Sequence, residues 1–380
     1  MIRARYSAPA LLALGAWLTT PAMAQLQLSP EAVQQMPRAT QPKPAAKPKA
    51  TPKPTPAAKA KPKPDSVAQP KPRPPATPKS EPAPVAAQAL ARPGVDADLA
   101  FGAFQRGEYR TAFQIATKRV EDHGDVKAMT LLGELYANGF GVMRDEAMAN
   151  KWYRLAADRG DREAMFALAM MRMAGRADKI NREEAAKLLA AAAKLDHPLA
   201  AYNLGLLYLE GQLFPQDFAR AAELFRSAAD KGSPEAQYAL ATLYKEGRGV
   251  PKDIGETARL LRAAANAGNT DAQVEFAIAL FNGNGVAKDE PGAAQILLRA
   301  ARTGSPIAQN RLARVLAYGR GMPADPAEAI KWHLISKAGG ASDANLEVFM
   351  QQQKPEIRAA AEKAAQPSLD AIKQLRQPPS

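Results

Sequence analysis

Apolar residues recur with helical spacing through residues 125–340. At the start of this region Ala128, Leu132, Leu135 and Tyr136 stand at positions i, i+4, i+7 and i+8, which form one face of an α-helix. The same face returns every 36 residues, without insertion or deletion. Its first alanines are Ala128, Ala164, Ala200, Ala236, Ala272 and Ala308. The pattern predicts six copies of one structural unit, from Asp125 to Gly340.

Each copy also carries the signals for a turn and a second helix. Gly139 and its equivalents follow the first apolar face, where glycine favours the left-handed residue that ends a helix. A residue suited to capping a helix N-terminus comes six positions later, at Asp145, Asn181, Asp217, Asp253, Asp289 and Asp325. In three copies a glutamate follows at capping-box spacing. Each copy is therefore predicted to be a helix-turn-helix that buries its apolar face only by stacking on its neighbours.

These copies resemble the Sel1-like repeat, a relative of the tetratricopeptide repeat. The resemblance implies an all-α fold, a right-handed α-solenoid of helix-turn-helix repeats, over 216 of 380 residues. The copy at 161–196 departs most, with Arg172 in place of tyrosine and Ala177-Asp178 in place of Gly-Val, so we expect an irregular turn there. In the first copy the resemblance is carried by Leu132-Gly133-Glu134-Leu135-Tyr136, Gly139-Phe140-Gly141-Val142 and Ala156-Ala157-Asp158-Arg159-Gly160.

The regions on either side of the repeats are expected to close the stack, since a solenoid needs capping units with a polar outer face. Residues 94–124 are predicted to form an N-terminal helical hairpin similar to a tetratricopeptide unit. Residues 341–380 are predicted to hold C-terminal capping helices and a tail, with a closing helix pair between Asp343 and Ala365 that is broken at Pro355.

Residues 1–24 have the pattern of a secretory signal peptide. Two arginines precede an apolar run from Ala8 to Leu18, and Ala22-Met23-Ala24 has the small residues that signal peptidases cut after. The alternative is a retained membrane anchor, but the run is about half of the roughly 20 residues needed to span a bilayer. We therefore expect export to the periplasm, with secretion as the second choice and no transmembrane segment in the mature chain.

The basic charge of the chain is concentrated in residues 25–93, a stretch rich in Pro, Lys and Ala. Residues 37–93 contain 12 basic and 2 acidic residues, whereas residues 94–380 contain 37 basic and 35 acidic residues. Proline and like-charged lysines favour an extended chain without a core, so we predict a disordered linker. Its charge suggests a weak contact with anionic envelope surfaces, and the nearly neutral remainder argues against a nucleic-acid partner.

The composition offers little for catalysis or metal binding. There is no cysteine, which excludes disulfides, thiolate nucleophiles and cysteine-ligated metals. The histidines are His123, His197 and His333, and none has a second ligand at metal-binding spacing. Family members that bind or hydrolyse β-lactam-like compounds are cysteine-rich, so that activity does not carry over. We predict no catalytic residue, no cofactor and no metal site.

The resemblance to the tetratricopeptide repeat places certain first-helix positions on the concave face. In the outer copies these positions are polar, as at Thr130, Glu134 and Arg314, while the middle copies are apolar and aromatic. The predicted partner-binding residues, here called the inner groove, are Phe166, Met170, Met173, Tyr202, Leu206, Leu209, Tyr238, Ile278 and Phe281. The alternative is that these side chains belong to the core between helices, because aromatic residues at helical spacing are often core.

The function that this pattern favours is an exported, non-catalytic scaffold that binds a protein or peptide in its inner groove. Some periplasmic members of the family restrain sensor kinases, so the resemblance implies a regulatory adaptor as a narrower hypothesis. One alternative is a structural protein that contacts peptidoglycan or lipid phosphates through its basic tail. A cell-wall enzyme is a third hypothesis, disfavoured because the sequence shows no catalytic constellation.

Overall fold

The computed structural model describes residues 98–376, and the regular elements in that range are sixteen α-helices with no strand. The first pair is α1 (Leu99–Gln105) and α2 (Tyr109–His123). Six further pairs follow, one for each 36-residue repeat, and they are arranged consecutively as the sequence predicts. Repeats 1 to 6 span residues 125–160, 161–196, 197–232, 233–268, 269–304 and 305–340. Residues 1–97, which include the predicted signal peptide and linker, lie outside the described residues.

Each repeat contributes a first and a second helix. The first helices are α3 (Val126–Asn138), α5 (Arg162–Ala174), α7 (Pro198–Glu210), α9 (Pro234–Glu246), α11 (Thr270–Asn282) and α13 (Pro306–Tyr318). The second helices are α4 (Glu146–Ala157), α6 (Arg182–Lys194), α8 (Phe218–Asp230), α10 (Ile254–Asn266), α12 (Glu290–Arg302) and α14 (Pro326–Ala338).

Both helices of a repeat start and stop where the sequence signals lie. The glycine after each first helix is left-handed, with φ between 64° and 72° in all six repeats. The side chain of the predicted cap accepts a hydrogen bond from a backbone N–H in the first turn of each second helix, as Asp253 does from Glu256. These local signals explain why the turn between the two helices lies at the same place in every repeat.

The capping-box spacing produces only half of a capping box. In a full box the glutamate would return a hydrogen bond to the backbone N–H of the cap residue. Instead, that N–H donates to a carbonyl of the preceding helix, from Asn181 to Arg172, from Asp253 to Tyr244 and from Asp325 to Leu316, at 3.0–3.1 Å. The cap residue thus ties the two helices of its repeat together, which leaves the glutamate side chain free for other partners.

Small and large side chains are matched where the two helices of a repeat cross. Gly133 lies against the Tyr153 ring and Gly205 against the Phe225 ring, so that an added Cβ would come within 2.6 Å of each ring. In the other repeats the first-helix residue is alanine and the facing residue is smaller. These pairs are Ala169 with Leu189, Ala241 with Leu261, Ala277 with Leu297 and Ala313 with His333. The total volume at the crossing is therefore kept roughly constant, as close packing requires.

Repeat 2 keeps a regular turn although its sequence departs most. Ala177 adopts φ 63° at a position where repeats 1, 4, 5 and 6 have a left-handed glycine. Arg172, which replaces a tyrosine, is 1% exposed, and its Nε donates to Glu184 at 2.8 Å. The turn that differs is in repeat 3, where Leu213 occupies the same position without a positive φ. The expectation of an irregular turn in repeat 2 is thus replaced by a strained but regular one.

The C-terminal end is closed by α15 (Ala344–Gln351) and α16 (Pro355–Arg376). Pro355 starts α16, where a missing N–H costs nothing, and α16 packs against α14. The helix runs eleven residues beyond the predicted Ala365 and contains Pro367. Many of its side chains are exposed.

Candidate partner-binding surface

The first helices form the inner side of the stack. Two pairs of first helices from neighbouring repeats contact each other, α3 with α5 and α11 with α13. Within residues 98–376 no two second helices of the six repeats are in comparable contact. Helices on the inside of a curved stack lie closer together than those on the outside. This arrangement places first-helix side chains at the surface where repeat arrays of this kind bind ligands.

All nine predicted groove residues lie on four first helices. Three are on α5, three on α7, one on α9 and two on α11. Phe166 and Phe281 are 8% and 9% exposed, so both belong mainly to the core. The remaining seven are partly exposed and pack against the central apolar cluster: Met170, Met173, Tyr202, Leu206, Leu209, Tyr238 and Ile278. The structure therefore brings together an apolar strip across repeats 2 to 5, with two of its nine members below the surface.

Tyr202 and Tyr238 are shared between this strip and the core. The Tyr202 ring packs against Phe225 with centroids 5.7 Å apart. Burial, together with the nearby Glu235 carboxylate, raises the pKa of Tyr202 to about 12. Burial and the carboxylates of Glu275 and Asp271 likewise raise the pKa of Tyr238 to about 12. Both phenols are therefore neutral at physiological pH, with each ring partly available to a partner.

Phe166 is covered by a histidine that the sequence marks only as a residue between two repeats. The His197 ring stacks on Phe166 with centroids 4.6 Å apart. His197 also caps α7, because its Nδ1 accepts from the Ala200 N–H at 3.1 Å. Its Nε2 then carries the proton and donates to Glu163 at 3.0 Å. His197 is thus a structural residue here, and its ring accounts for the low exposure of Phe166.

The strip ends in polar residues on both sides. In repeat 1 the Glu134 carboxylate accepts from the Tyr153 hydroxyl at 2.8 Å, and burial raises the pKa of Tyr153 well above its usual value. In repeat 6 the Arg314 guanidinium pairs with Asp343, the residue that caps α15. The inner side therefore runs from an acidic end at repeat 1 to a basic end at repeat 6.

A cavity of about 280 Å³ lies at the basic end, between α11 and α13. It is lined by two predicted groove residues, Ile278 and Phe281, and by seven residues outside the predicted set, which include Arg311, Tyr318 and Arg320. Sequence reasoning missed these three because they do not fall on the first-helix positions taken from the tetratricopeptide alignment. The available signal was that repeat 6 has arginine at 311, where repeats 1 to 5 have Leu131, Ala167, Asn203, Ala239 and Glu275.

Other kinds of site have little support in the described range. Among residues 98–376 there is no group of three or more His, Cys, Asp and Glu side chains that could hold a metal ion. No helix in the same range is long and apolar enough to cross a membrane. His333 is buried and contacts Glu347 through Nε2 at 3.0 Å, in the contact between α14 and α15.

The sequence profile of the Sel1 repeat matches six consecutive segments of the chain. They are residues 126–161, 162–197, 198–233, 234–269, 270–305 and 306–340, more than half of the sequence. The chain belongs to the Sel1 repeat family. Each matched segment contains one first and one second helix, so the family's unit coincides with the structural repeat to within one residue.

Solved structures of other Sel1 repeat proteins are similar to this chain to different degrees. A Sel1 repeat protein from Oxalobacter formigenes is 28% identical, with a TM-score of 0.59 over 64% of this chain and 99% of that chain. A protective antigen of uropathogenic Escherichia coli with the same kind of fold is 25% identical, covers 72% of this chain and 68% of its own, and has a TM-score of 0.48. No curated protein gives a significant match.

Membership in the Sel1 repeat family indicates the general kind of protein. Proteins of this family are helical scaffolds that typically act in protein interaction and are generally not catalytic. A protein is thus the expected kind of partner for this chain.

Proposed function

We propose that this Sel1 repeat protein binds a protein or peptide partner in its inner groove. The observation that carries the proposal is the strip of seven partly exposed apolar and aromatic side chains across repeats 2 to 5. An apolar strip with polar ends is typical of an interaction surface with a dry centre and a wet rim. Half-buried tyrosines add contact area with little loss of side-chain entropy on binding.

We further propose that the protein is exported and acts in the periplasm as a regulatory adaptor. The support is the signal-peptide pattern of residues 1–24, which lie outside the described residues, and the resemblance to periplasmic family members. Cell fractionation followed by N-terminal sequencing tests the location. A mature chain that starts at Gln25 in the periplasmic fraction is expected, and an intact N-terminus on a cytoplasmic protein would contradict export.

The groove is tested by affinity capture from envelope extract at ~0.3 M salt, which screens charge contacts beyond roughly 6 Å. The full chain is compared with a groove variant, Leu206→Gln with Leu209→Gln. The matched control changes two exposed apolar residues of the second helices and their ends, Leu195→Gln with Ile254→Gln. We expect a partner that the wild type and the control retain and the groove variant loses, with circular dichroism showing that all three chains are folded.

A fourth bait separates the groove from the basic tail. In this chain the lysines of residues 37–93 are replaced by glutamine. Capture that survives this change supports the groove. Capture that is lost with the lysines, needs low salt and ignores the groove variant would instead support the alternative of an envelope protein acting through its tail.

A further inference from the structure

The cavity between α11 and α13 has an apolar floor. Ile278 and Phe281 come from repeat 5, and Val315 and Tyr318 come from repeat 6. Tyr318 is 58% exposed, although its ring also makes an edge contact with Phe349 at 6.0 Å. A large aromatic residue left this open beside a cavity is a typical mark of a surface that receives another molecule. The volume of about 280 Å³ is at the small end for ligand pockets and suits one large side chain.

Three guanidinium groups surround this floor. Arg314 pairs with Asp343, and Arg320 donates to Glu290 at 2.8 Å while lying 4.9 Å above the Phe281 ring. Neither carboxylate lines the cavity. Arg311 is exposed and forms no ion pair with any residue in the range 98–376. The cavity therefore has one uncompensated positive charge at its edge and two further guanidinium groups held in place by partners behind them.

This combination is not required by the repeat. At the position of Tyr318 the other repeats have Asn138, Ala174, Glu210, Glu246 and Asn282. None of them has arginine at the position of Arg311. Five repeats thus fold without either residue, so neither is needed to stack one repeat on the next. An exposed arginine without an ion-pair partner in the described range, and a tyrosine that stays more than half exposed although it touches Phe349, point to a role in recognition.

We propose that this cavity binds an anchor of the partner in which an acidic residue lies next to a large apolar residue. The apolar side chain would fill the space over Phe281 and Tyr318, and the carboxylate would receive hydrogen bonds from Arg311. Arginine suits this role because its planar group can donate two parallel hydrogen bonds to a carboxylate. The inference rests on the proposed function and adds the chemistry of the partner to it.

A peptide fits these features better than a nucleic acid. Phosphate backbones are held by broad basic surfaces with several uncompensated charges. Residues 94–380 are nearly neutral, and the cavity offers a single free arginine beside an apolar floor. The acidic residue Glu134 lies at the opposite end of the inner side. An acidic anchor is therefore attracted to repeat 6 and repelled from repeat 1, which gives the bound peptide one direction along the groove.

The test uses a random 12-residue peptide library displayed on phage and selected on the full chain. We expect selected peptides to carry Asp or Glu beside Phe, Tyr, Leu, Ile or Met. For a synthetic copy of the strongest peptide, Arg311→Ala should weaken binding about 5- to 10-fold, as expected for one exposed charge contact. The control Arg299→Ala, which changes another exposed arginine, on α12, should alter binding less than twofold.

The contact is then isolated by changing both partners. Replacing the acidic residue of the peptide by its amide should weaken binding to the wild type as much as Arg311→Ala does. The same replacement should have little further effect on the Arg311→Ala chain, because the two changes remove one interaction.

Two results separate this inference from the proposed function. If Leu206→Gln with Leu209→Gln abolishes peptide binding while Arg311→Ala leaves it unchanged, the groove binds partners and the acidic anchor is wrong. If no selected peptide depends on either set of residues, or none is selected, both are wrong. Arg311 is exposed, so its variant is expected to fold normally, which circular dichroism checks.

Discussion

The turns inside the repeats are of two kinds. In repeats 1, 4, 5 and 6 a second glycine follows the first, and it lies directly on the backbone at the start of the preceding second helix. A Cβ added to Gly285 or Gly321 would come within 2.1 Å of a carbonyl oxygen there, and at Gly249 within 2.2 Å of a carbonyl carbon. The junction between one repeat and the next is here called a seam. At these four turns the seam to the preceding helix pair is closed by backbone-to-backbone contact that only glycine allows.

Repeats 2 and 3 have a side chain at this position, Ala177 and Leu213, so their turns cannot approach the preceding repeat in the same way. Charged side chains cross these seams without a glycine contact beside them. Arg176 donates to Glu146 at 3.1 Å and to the Ala137 carbonyl at 3.1 Å. Arg182 bonds to Glu210 and Gln212 in the next repeat.

The two kinds of seam hold neighbouring repeats together by different contacts. The C-terminal repeats are joined by close backbone contacts that do not depend on salt or pH, in addition to ion pairs such as Arg320 with Glu290. The seams without the glycine contact lie beside the most apolar part of the inner groove, formed by α5 and α7. The region proposed to bind the partner is therefore the region whose seams are the most open to adjustment, since ion pairs at a surface contribute little and are screened by salt.

The largest expected effect comes from exchanging glycine and alanine between the two kinds of turn. Gly285→Ala should destabilise the protein by about 3 kcal/mol, because it adds a left-handed penalty and a backbone clash. Ala177→Gly should stabilise it by about 1 kcal/mol, because it relieves the strain at φ 63°. Urea unfolding followed by circular dichroism measures both. If both changes altered the free energy of unfolding by the same amount and in the same direction, the two kinds of seam would not differ.

A second, smaller effect tests the packing inside repeat 3 against repeats 4 and 5. Gly205→Ala should cost about 1–2 kcal/mol, because the new Cβ meets the Phe225 ring. Phe225→Leu alone should cost a similar amount through the cavity it leaves. The double variant reproduces the alanine and leucine pair of repeats 4 and 5, so it should be more stable than either single variant. Additive losses in the thermal unfolding of the double variant would contradict the size matching.

The smallest effect concerns equivalent ion pairs in the two kinds of seam. The side-chain hydrogen bond from Arg144, followed by that from Arg176, lowers the pKa of Glu146 despite partial burial. The stability gained from this carboxylate is therefore present above its ordinary pKa of 4.5 and is lost as the pH falls through the lowered value of the folded state. Glu290 in repeat 5 occupies the same position and pairs with Arg320.

We expect Glu146→Gln to destabilise the chain at pH 7 more than Glu290→Gln does, because Gly321 also closes the later seam. The loss on Glu146→Gln should disappear in unfolding experiments at acidic pH and shrink in high salt. A loss of the same size at pH 7 and at acidic pH would show that the charge of Glu146 does not support the seam.

The sequence predicts the repeats well because their signals are local. A glycine such as Gly139 ends a helix and an aspartate such as Asp253 starts one through contacts within a few residues, and the 36-residue period repeats these signals six times. The stacking order then follows from chain order. Contacts between residues far apart in the sequence were harder to predict. The burial of Phe166 depends on the His197 ring 31 residues later, and Arg172 is buried because Glu184 on the next helix receives its Nε–H.

The candidate site shows the same limit. The apolar strip was predicted from positions equivalent across repeats, and its role in binding stays a prediction. Arg311 and Tyr318 differ from the residues at the equivalent positions of the other repeats. A comparison that looks for what the repeats share therefore does not find them. Their meaning depends on the gap between α11 and α13, which only the packed structure reveals.

An array whose copies all have the same length can lose or gain one copy without disturbing its seams. Excision of residues 270–305 would bring Gly321 to the start of α10, where Gly285 now lies against Ile254. Arg311, Arg314 and Tyr318 would move with repeat 6 and its closing helices, whereas Ile278, Phe281 and the Glu290 partner of Arg320 would be lost. A single duplication or deletion of one repeat in the gene would therefore lengthen or shorten the inner groove by one repeat, and the side chains at the new junction would decide whether the cavity beside repeat 6 survives.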